Sequence, residues 1–334
     1  MTIRVRRRLL VVAWLVVVVG AALAAPWPAA AQAEKLARIG FLAASTPGRD
    51  QRLLGFFKQG MRDLGYREGT TLVVEERYAE GRFEKLPELA ADLLKRRVDV
   101  LLVAGAPSAQ AAKRVTQTVP IVMTNAADPV GTGLVSSLAR PGGNVTGLSD
   151  FNEGTVAKRL SLIKEILPSA SRVAVFYNPS NPTNPRQLKL TQDAARTVGI
   201  TLTPFQTPTS DDLDRAFVGI QKERPDAILA IGDPALGALR LRIIAHAVRH
   251  RVPVTFSTQE GSEEGGLMSY GARVEDLDRR AATYVDKVLK GANPGDLPIE
   301  QPSTFEFVLN LKTARALGLT IPASVAFRAD RVIE

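Results

Sequence analysis

From residue 37 onward, short runs of β-branched and apolar residues alternate with longer stretches in which apolar positions recur near a period of 3.6. Short apolar runs are typical of buried strands, and the longer period is typical of helices that cover a sheet. In the first half the predicted strands are 37–42, 71–78, 98–104, 120–124 and 145–148, and the predicted helices are 49–64, 83–96 and 108–116. This alternation predicts βαβ units and a parallel sheet flanked by helices.

The same alternation restarts beyond residue 148 and predicts a second α/β half. Its predicted helices are 155–167, 186–198, 211–222 and 236–250, and its predicted strands are 172–177, 200–205, 227–231 and 252–256. A further helix is predicted at 274–289, after a second crossing between the lobes near 265–271. The first lobe is expected to span 34–148 with part of 272–300, and the second 149–271 with part of 301–334. Two lobes joined by hinge crossings form a cleft, which is a preferred place for small ligands.

The first 33 residues have the pattern of a signal peptide. Four arginines precede an apolar run at 9–25, and Ala31 and Ala33 are the small residues that a signal peptidase requires. The strongly apolar part is short for a membrane span of about 20 residues. We therefore expect cleavage near Ala33 and a periplasmic protein.

Composition excludes several classes of protein and site. The chain has no cysteine, which rules out disulfides, thiolate metal sites and the lipid-anchoring cysteine of lipoproteins. Its formal charge is +9, but four arginines belong to the expected signal, and the remaining basic residues are interspersed with acidic ones along predicted helices. A nucleic-acid partner is not indicated, because no basic stripe is concentrated on one segment.

Motifs for catalysis and cofactor binding are poorly represented. His246 and His250 have helical spacing, but the glutamate of a zinc-protease helix is missing between them. No Gly-x-Ser-x-Gly elbow occurs. The glycines at 131 and 133 suggest a dinucleotide loop, yet the helix expected at 134–139 is too short for that unit. No catalytic residue, metal site or cofactor is predicted.

Small and hydroxylated residues follow the predicted strands, where open α/β sheets bind their ligands. Turns of this kind suit a carboxylate at a helix N-terminus, although plain helix capping explains each one equally well. Carboxylates that follow the strands are expected to pair with an ammonium group of the ligand, and aromatic residues are expected to stack on an apolar part of the ligand. The carboxylates are Asp128 and Asp233, and the aromatic candidates are Phe151, Tyr177, Phe256 and Tyr270.

Several segments together resemble the bacterial ABC-transporter substrate-binding proteins of the tryptophan-binding-like group, which have the type I periplasmic binding protein fold. The segments are DPVGTGLV at 128–135, LARPGGNVTG at 138–147, YNPSNP at 177–182, GLMSYG at 266–271 and FEFVLNLKTA at 305–314. The resemblance spans essentially all of the chain after the signal. It implies two Rossmann-like lobes, joined by three hinge strands, that close on a ligand.

In the better understood members of that family the ligand is an amino acid. Carried over by position, the resemblance implies a ligand carboxylate held by Ser45, Ser108 and the backbone around Ala106. It implies further contacts from Asn125 and Asp128 of the same lobe. It also implies contacts from Asn178, Asp233 and Ser257 of the opposite lobe, and it places Tyr270 at a hinge. The chain departs from the amino-acid binders at Ala106, where a threonine is frequent.

The sequence therefore predicts a non-enzymatic, monomeric solute-binding protein that delivers a small molecule, an amino acid or related carboxylate, to the membrane permease of an ABC importer. A periplasmic sensor that hands its closed form to a membrane receptor is one alternative. An exported α/β enzyme acting on a small carboxylate is the other. Sequence does not separate the importer from the sensor, because these differ only in the partner.

Overall fold

The computed structural model describes residues 36–150 and 153–334 of the chain. The predicted signal peptide at 1–33 and the candidate stacking residue Phe151 lie outside the described residues. None of the helices in the described ranges has the length and apolar content that a membrane span requires.

The first sheet has five parallel strands in the order β2-β1-β3-β4-β5. Its elements are β1 (Ala37–Ala43), α1 (Pro47–Asp63), β2 (Leu72–Tyr78), α2 (Leu86–Lys95), β3 (Val100–Ala104), α3 (Gly105–Val115), β4 (Ile121–Met123) and β5 (Val145–Gly147). The central strands are apolar at almost every position because helices cover both faces of the sheet.

The second sheet has seven strands in the order β12-β11-β10-β9-β8-β6-β7, and only the β10-β11 pair is antiparallel. The elements from α4 to β9 are α4 (Glu153–Ile166), β6 (Arg172–Tyr177), α5 (Asn184–Thr197), β7 (Thr201–Gln206), α6 (Ser210–Glu223), β8 (Ala227–Ala230), α7 (Pro234–Ala238), α8 (Arg240–Arg249) and β9 (Val254–Phe256). The rest are α9 (Gln259–Glu263), β10 (Met268–Ala272), α10 (Val274–Leu289), β11 (Phe305–Asn310), α11 (Leu311–Ala316), α12 (Ala323–Phe327) and β12 (Arg331–Ile333).

Helix α10 belongs to the first lobe although it follows a strand of the second sheet. Its apolar face packs with α1 on one side of the first sheet, while α2 and α3 cover the other side. Beyond α10 the chain runs beside β5, where the amide of Ser149 donates to the carbonyl of Glu300. It then enters β11 of the second sheet. The chain therefore crosses between the lobes after β5, between β10 and α10, and before β11.

The predicted fold class of two α/β lobes is confirmed, with differences in detail. Residues 134–139 form turns and not the expected helix, because the hydroxyls of Ser136 and Ser137 donate to the carbonyl of Arg140. The helix expected at 236–250 is two helices that meet at Leu239. Strands β10, β11 and β12 had not been assigned. The predicted lobe boundaries remain our proposed division.

Gly60 lies where α1 and α10 approach most closely. A Cβ at this position would lie 2.4 Å from the carbonyl oxygen of Arg279 and 2.8 Å from the Cβ of Ala282. Both neighbours belong to the packed helix, and a backbone carbonyl cannot move aside without shifting that helix. The absence of a side chain at Gly60 therefore sets the distance between α1 and α10.

We predict that Gly60→Ala lowers the free energy of unfolding by about 1–3 kcal/mol, because the added methyl group overpacks this contact. Gly55→Ala is the matched control, since Gly55 is in the same helix and has no atom within 4 Å of the added Cβ. That variant is expected to gain about 0.5–1 kcal/mol from helix propensity. Urea unfolding of the chain from Glu34 onward measures both, and equal effects would refute the account of this contact.

Candidate functional site

A cavity of about 110 Å³ lies between the lobes at the carboxyl ends of their strands. Parallel sheets present the ends of their strands at one edge, and here both edges contribute to the same cavity. The lining residues used below are Arg49, Gly105, Ala106, Asn125, Asp150, Asn181, Asp233, Arg240, Phe256 and Ser257.

The first lobe presents the N-terminus of α3 to the cavity. Gly105 has a φ of 81°, a left-handed conformation that turns the chain sharply from β3 into the helix. Its amide donates to Oδ1 of Asn125 at 2.8 Å, which ties this turn to the segment after β4. The first turn of a helix leaves N–H groups without intrahelical acceptors and carries a partial positive charge. The first lobe thus offers a site suited to an anionic group.

The second lobe presents a partly buried carboxylate, that of Asp233. Its Oδ1 accepts from the amides of Ala235 and Leu236 at 2.8 and 2.9 Å and so caps α7. Its Oδ2 accepts from the side-chain amides of Asn181 and Asn178 at 2.8 and 3.3 Å. No basic side chain within the described ranges forms an ion pair with it. Burial raises the pKa of Asp233 despite these hydrogen bonds. The second lobe thus offers an acceptor suited to a cation.

The two guanidinium groups in the lining already have acidic partners. Arg240 donates to both oxygens of Glu264, at 2.6 and 2.5 Å. Nε of Arg49 lies 3.4 Å from Oε1 of Glu260. The glutamates that pair with these two arginines lie outside the lining. Neither arginine forms an ion pair with Asp150 or Asp233, the carboxylates of the lining, among the described residues.

Ion pairs join the lobes on two surfaces. Arg49 and Arg52 of α1 both approach Glu260 of α9, and the Arg52 Nη2 to Glu260 Oε1 distance is 2.9 Å. Burial opposes the charge of Glu260, but Arg49 together with hydrogen bonds from Thr258 and the Glu260 amide outweighs burial, and the pKa of Glu260 falls to about 2. Nε of Arg186, in α5, lies 2.9 Å from Oδ2 of Asp128 in the loop after β4. The structure is therefore a closed arrangement in which charges of the two lobes are in direct contact.

Four of the nine sequence-predicted site residues line the cavity, namely Ala106, Asn125, Asp233 and Ser257. Asn178 lies behind Asp233 and donates to its carboxylate. These five residues are therefore gathered around one space. Their contact with a ligand stays a prediction.

The other four predicted residues do not line this cavity. The hydroxyl of Ser45 donates to Asp50, and Ser108 is fully buried within α3. Asp128 forms the ion pair with Arg186. Tyr270 lies in β10 beside the second crossing and stacks on Phe305 at a ring-centroid distance of 6.1 Å.

Sequence reasoning missed six polar residues of the lining, Arg49, Asp150, Asn181, Thr183, Arg240 and Thr258. Asn181 and Thr183 continue the segment that begins at Asn178, so extending that candidate turn by a few residues would have included them. The two arginines lie in helices, and nothing in the local pattern distinguishes them from arginines on a solvated helix face. Asp150 follows β5 at the first crossing between the lobes and is not among the nine predicted site residues.

Several buried acidic side chains lie close to Arg49. Asp278 of α10 is 2% exposed, and burial together with the nearby carboxylates of Asp50 and Glu275 raises the pKa of Asp278 to about 8. Burial also raises the pKa of Asp50. Asp278 therefore holds a proton at neutral pH, which limits the negative charge that Arg49 must balance at the base of the cleft.

Comparisons with known proteins identify the class. The family description "ABC transporter substrate binding protein" matches residues 40–333, and the chain belongs to this family. The two-lobed fold is that of the type I periplasmic binding proteins. The expectations from the sequence motifs on family and fold are therefore confirmed.

Individual relatives cover most of the chain. A tyrosine-binding protein of Clostridioides difficile is 28% identical over 273 residues, which are 82% of this chain and 78% of the relative. The structure of a conserved domain protein from Vibrio cholerae is 31% identical with a TM-score of 0.85, and covers 89% of this chain and 100% of its own. An ABC domain from Streptococcus pneumoniae in complex with L-Trp is 28% identical with a TM-score of 0.83, and covers 89% of this chain and 99% of its own.

We predict that Glu260→Gln opens the ligand-free protein. Leaving Arg49 without its carboxylate costs on the order of 3 kcal/mol in the closed form, which corresponds to about a hundredfold shift toward an open form. Small-angle X-ray scattering should then give a larger radius of gyration than for the unsubstituted chain. Glu263→Gln is the control, because Glu263 pairs with Arg331 of its own lobe. An unchanged radius for Glu260→Gln would contradict the role of this interlobe pair.

The raised pKa of Asp278 predicts a pH dependence of stability. The folded protein keeps a proton that the unfolded chain releases above its ordinary pKa near 4, so this residue's stabilisation is complete below pH 4 and is lost as pH rises toward 8. Asp278→Asn should therefore gain stability relative to the unsubstituted chain between pH 5 and pH 8. Thermal unfolding at both pH values measures this, with exposed Asp276→Asn in the same helix as control. A pH-independent difference would exclude Asp278 as the titrating group.

Proposed function

We propose that this chain is the exported solute-binding component of an ABC-type importer and binds an amino acid between its lobes. The observation that supports this most directly is the pairing of two features across one cavity. One lobe contributes the positive end of α3, and the other contributes the partly buried carboxylate of Asp233, which has no cationic partner among the described residues.

An α-amino acid at neutral pH has opposite charges on adjacent groups and matches this pair. Its carboxylate would accept hydrogen bonds from the first turn of α3, near Ala106, where the backbone approaches the cavity without a bulky side chain. Its ammonium group would donate to Asp233. The relatives that bind tyrosine or contain L-Trp support an amino acid as the class of ligand.

Binding at residues of both lobes couples ligand affinity to closure. An open form offers α3 and Asp233 on separate surfaces, so only the closed form engages both charged groups of one ligand. A ligand shifts this equilibrium by the difference between its affinities for the two forms. The membrane permease of the importer would recognise the closed, ligand-loaded monomer, and the ligand would be released unchanged.

A thermal-shift screen of the chain from Glu34 onward against the common amino acids tests this proposal. Binding to the folded state raises the unfolding midpoint by mass action. We expect a concentration-dependent increase with at least one amino acid and no consumption of that compound. No increase with any amino acid would refute the proposed ligand class, and turnover of the ligand would favour the exported enzyme.

We predict that Asp233→Asn weakens the affinity for the stabilising amino acid about ten- to hundredfold, because a hydrogen bond to a charged group is replaced by one to a neutral amide. Asparagine caps a helix as well as aspartate does, so folding should be preserved, which Asp233→Ala would not ensure. Calorimetric titration measures the affinity. Asp211→Asn, at an exposed position in the same lobe, is the control. Unchanged affinity in Asp233→Asn would remove this carboxylate from the site.

A further inference from the structure

Asp150 brings a second acceptor to the cavity. It lies at the first crossing between the lobes, directly after the strand-end residues Leu148 and Ser149, and its side chain lines the cavity. Its Oδ1 is buried and has no hydrogen-bond partner within the ranges 36–150 and 153–334. A buried acceptor without a donor is unfavourable, and a site of this kind calls for a donor from outside the chain.

The two guanidinium groups near Asp150 do not supply that donor. Arg159 donates through Nε to the carbonyl of Tyr270 at 3.0 Å and through Nη2 to the hydroxyl of Thr155 at 3.2 Å. Arg49 is directed to Glu260 across the cleft. Both cations lie close enough to affect the carboxylate electrostatically, but neither donates a hydrogen bond to Oδ1 of Asp150, and Nε of Arg49 itself has no hydrogen-bond partner among the described residues.

The charges around Asp150 determine which kind of ligand group can bind beside it. Burial raises the pKa of Asp150 to about 6, while its own backbone amide, Arg49 and Arg159 oppose that shift, so the carboxylate is mainly ionised at pH 7.5 and accepts hydrogen bonds. A second cation would be repelled by the same two arginines. A neutral donor, such as a hydroxyl or an N–H group, satisfies the acceptor without adding charge.

We propose that Asp150 determines specificity by accepting a hydrogen bond from a neutral donor on the ligand's side chain, so that the site selects amino acids with a side-chain hydroxyl or N–H group. The inference rests on the proposed function and goes beyond it, because the α3 N-terminus and Asp233 would bind the groups common to all amino acids. A ligand without the donor would leave Oδ1 buried and unpaired.

The test compares ligands that differ chiefly in the side-chain donor, namely tyrosine with phenylalanine, serine with alanine and glutamine with methionine. Calorimetric titration of the unsubstituted chain at pH 7.5 is expected to show about ten- to hundredfold tighter binding of the donor-bearing member in at least one pair. In Asp150→Ala the two members of that pair should bind within about threefold of each other. Asp211→Ala, exposed in the second lobe, should keep the discrimination.

The other outcomes distinguish failure of the role of Asp150 from failure of the proposed function. Equal binding of both members of every pair by the unsubstituted chain would overturn the role of Asp150 and leave the proposed function in place. The same holds if the discrimination persists in Asp150→Ala. The unsubstituted chain alone can overturn the role of Asp150, whereas assigning the discrimination to Asp150 requires a folded Asp150→Ala variant, which thermal unfolding checks. Binding of no amino acid at all would instead refute the proposed function, and this inference with it.

Discussion

The carboxyl ends of parallel strands lie at one edge of a sheet, and in this protein two such edges face the same cavity. Most strand ends are followed by a turn into a helix, so the cavity is lined by helix starts, capping side chains and short polar segments. Gly105 and Asp233 illustrate the two halves of this arrangement. One permits a tight turn that brings a helix N-terminus to the surface of the cavity, and the other caps a helix with a carboxylate that also faces it.

The distribution of charge around the cavity follows from that geometry. Arg49 and Arg240 are paired with glutamates outside the lining, and Asp278 is protonated at neutral pH, so the base of the cleft carries little uncompensated charge. Asp150 and Asp233 remain as acceptors directed at the cavity. A zwitterionic ligand completes such a site without adding net charge, whereas a purely anionic ligand would face both carboxylates.

Sequence periodicity predicted the two α/β lobes because most strands before β10 are short runs rich in apolar residues that are followed by a helix. It did not predict β10, whose flanking glycines resemble a loop. The first lobe was expected to regain part of 272–300, and α10 falls within that range and packs against α1. The site was predicted in part. Asp233 and Asn125 follow strands directly and were found, whereas Arg49 and Arg240 become part of the lining only through the packing of the two lobes.

Hydrogen exchange measured by mass spectrometry, with and without a mixture of the common amino acids, tests the central claim that one ligand is held by both lobes. The account predicts that peptides containing residues 105–108 of the first lobe and 230–236 of the second become protected together at the same ligand concentration. Protection of only one of these segments, or protection confined to another part of the chain, would contradict it.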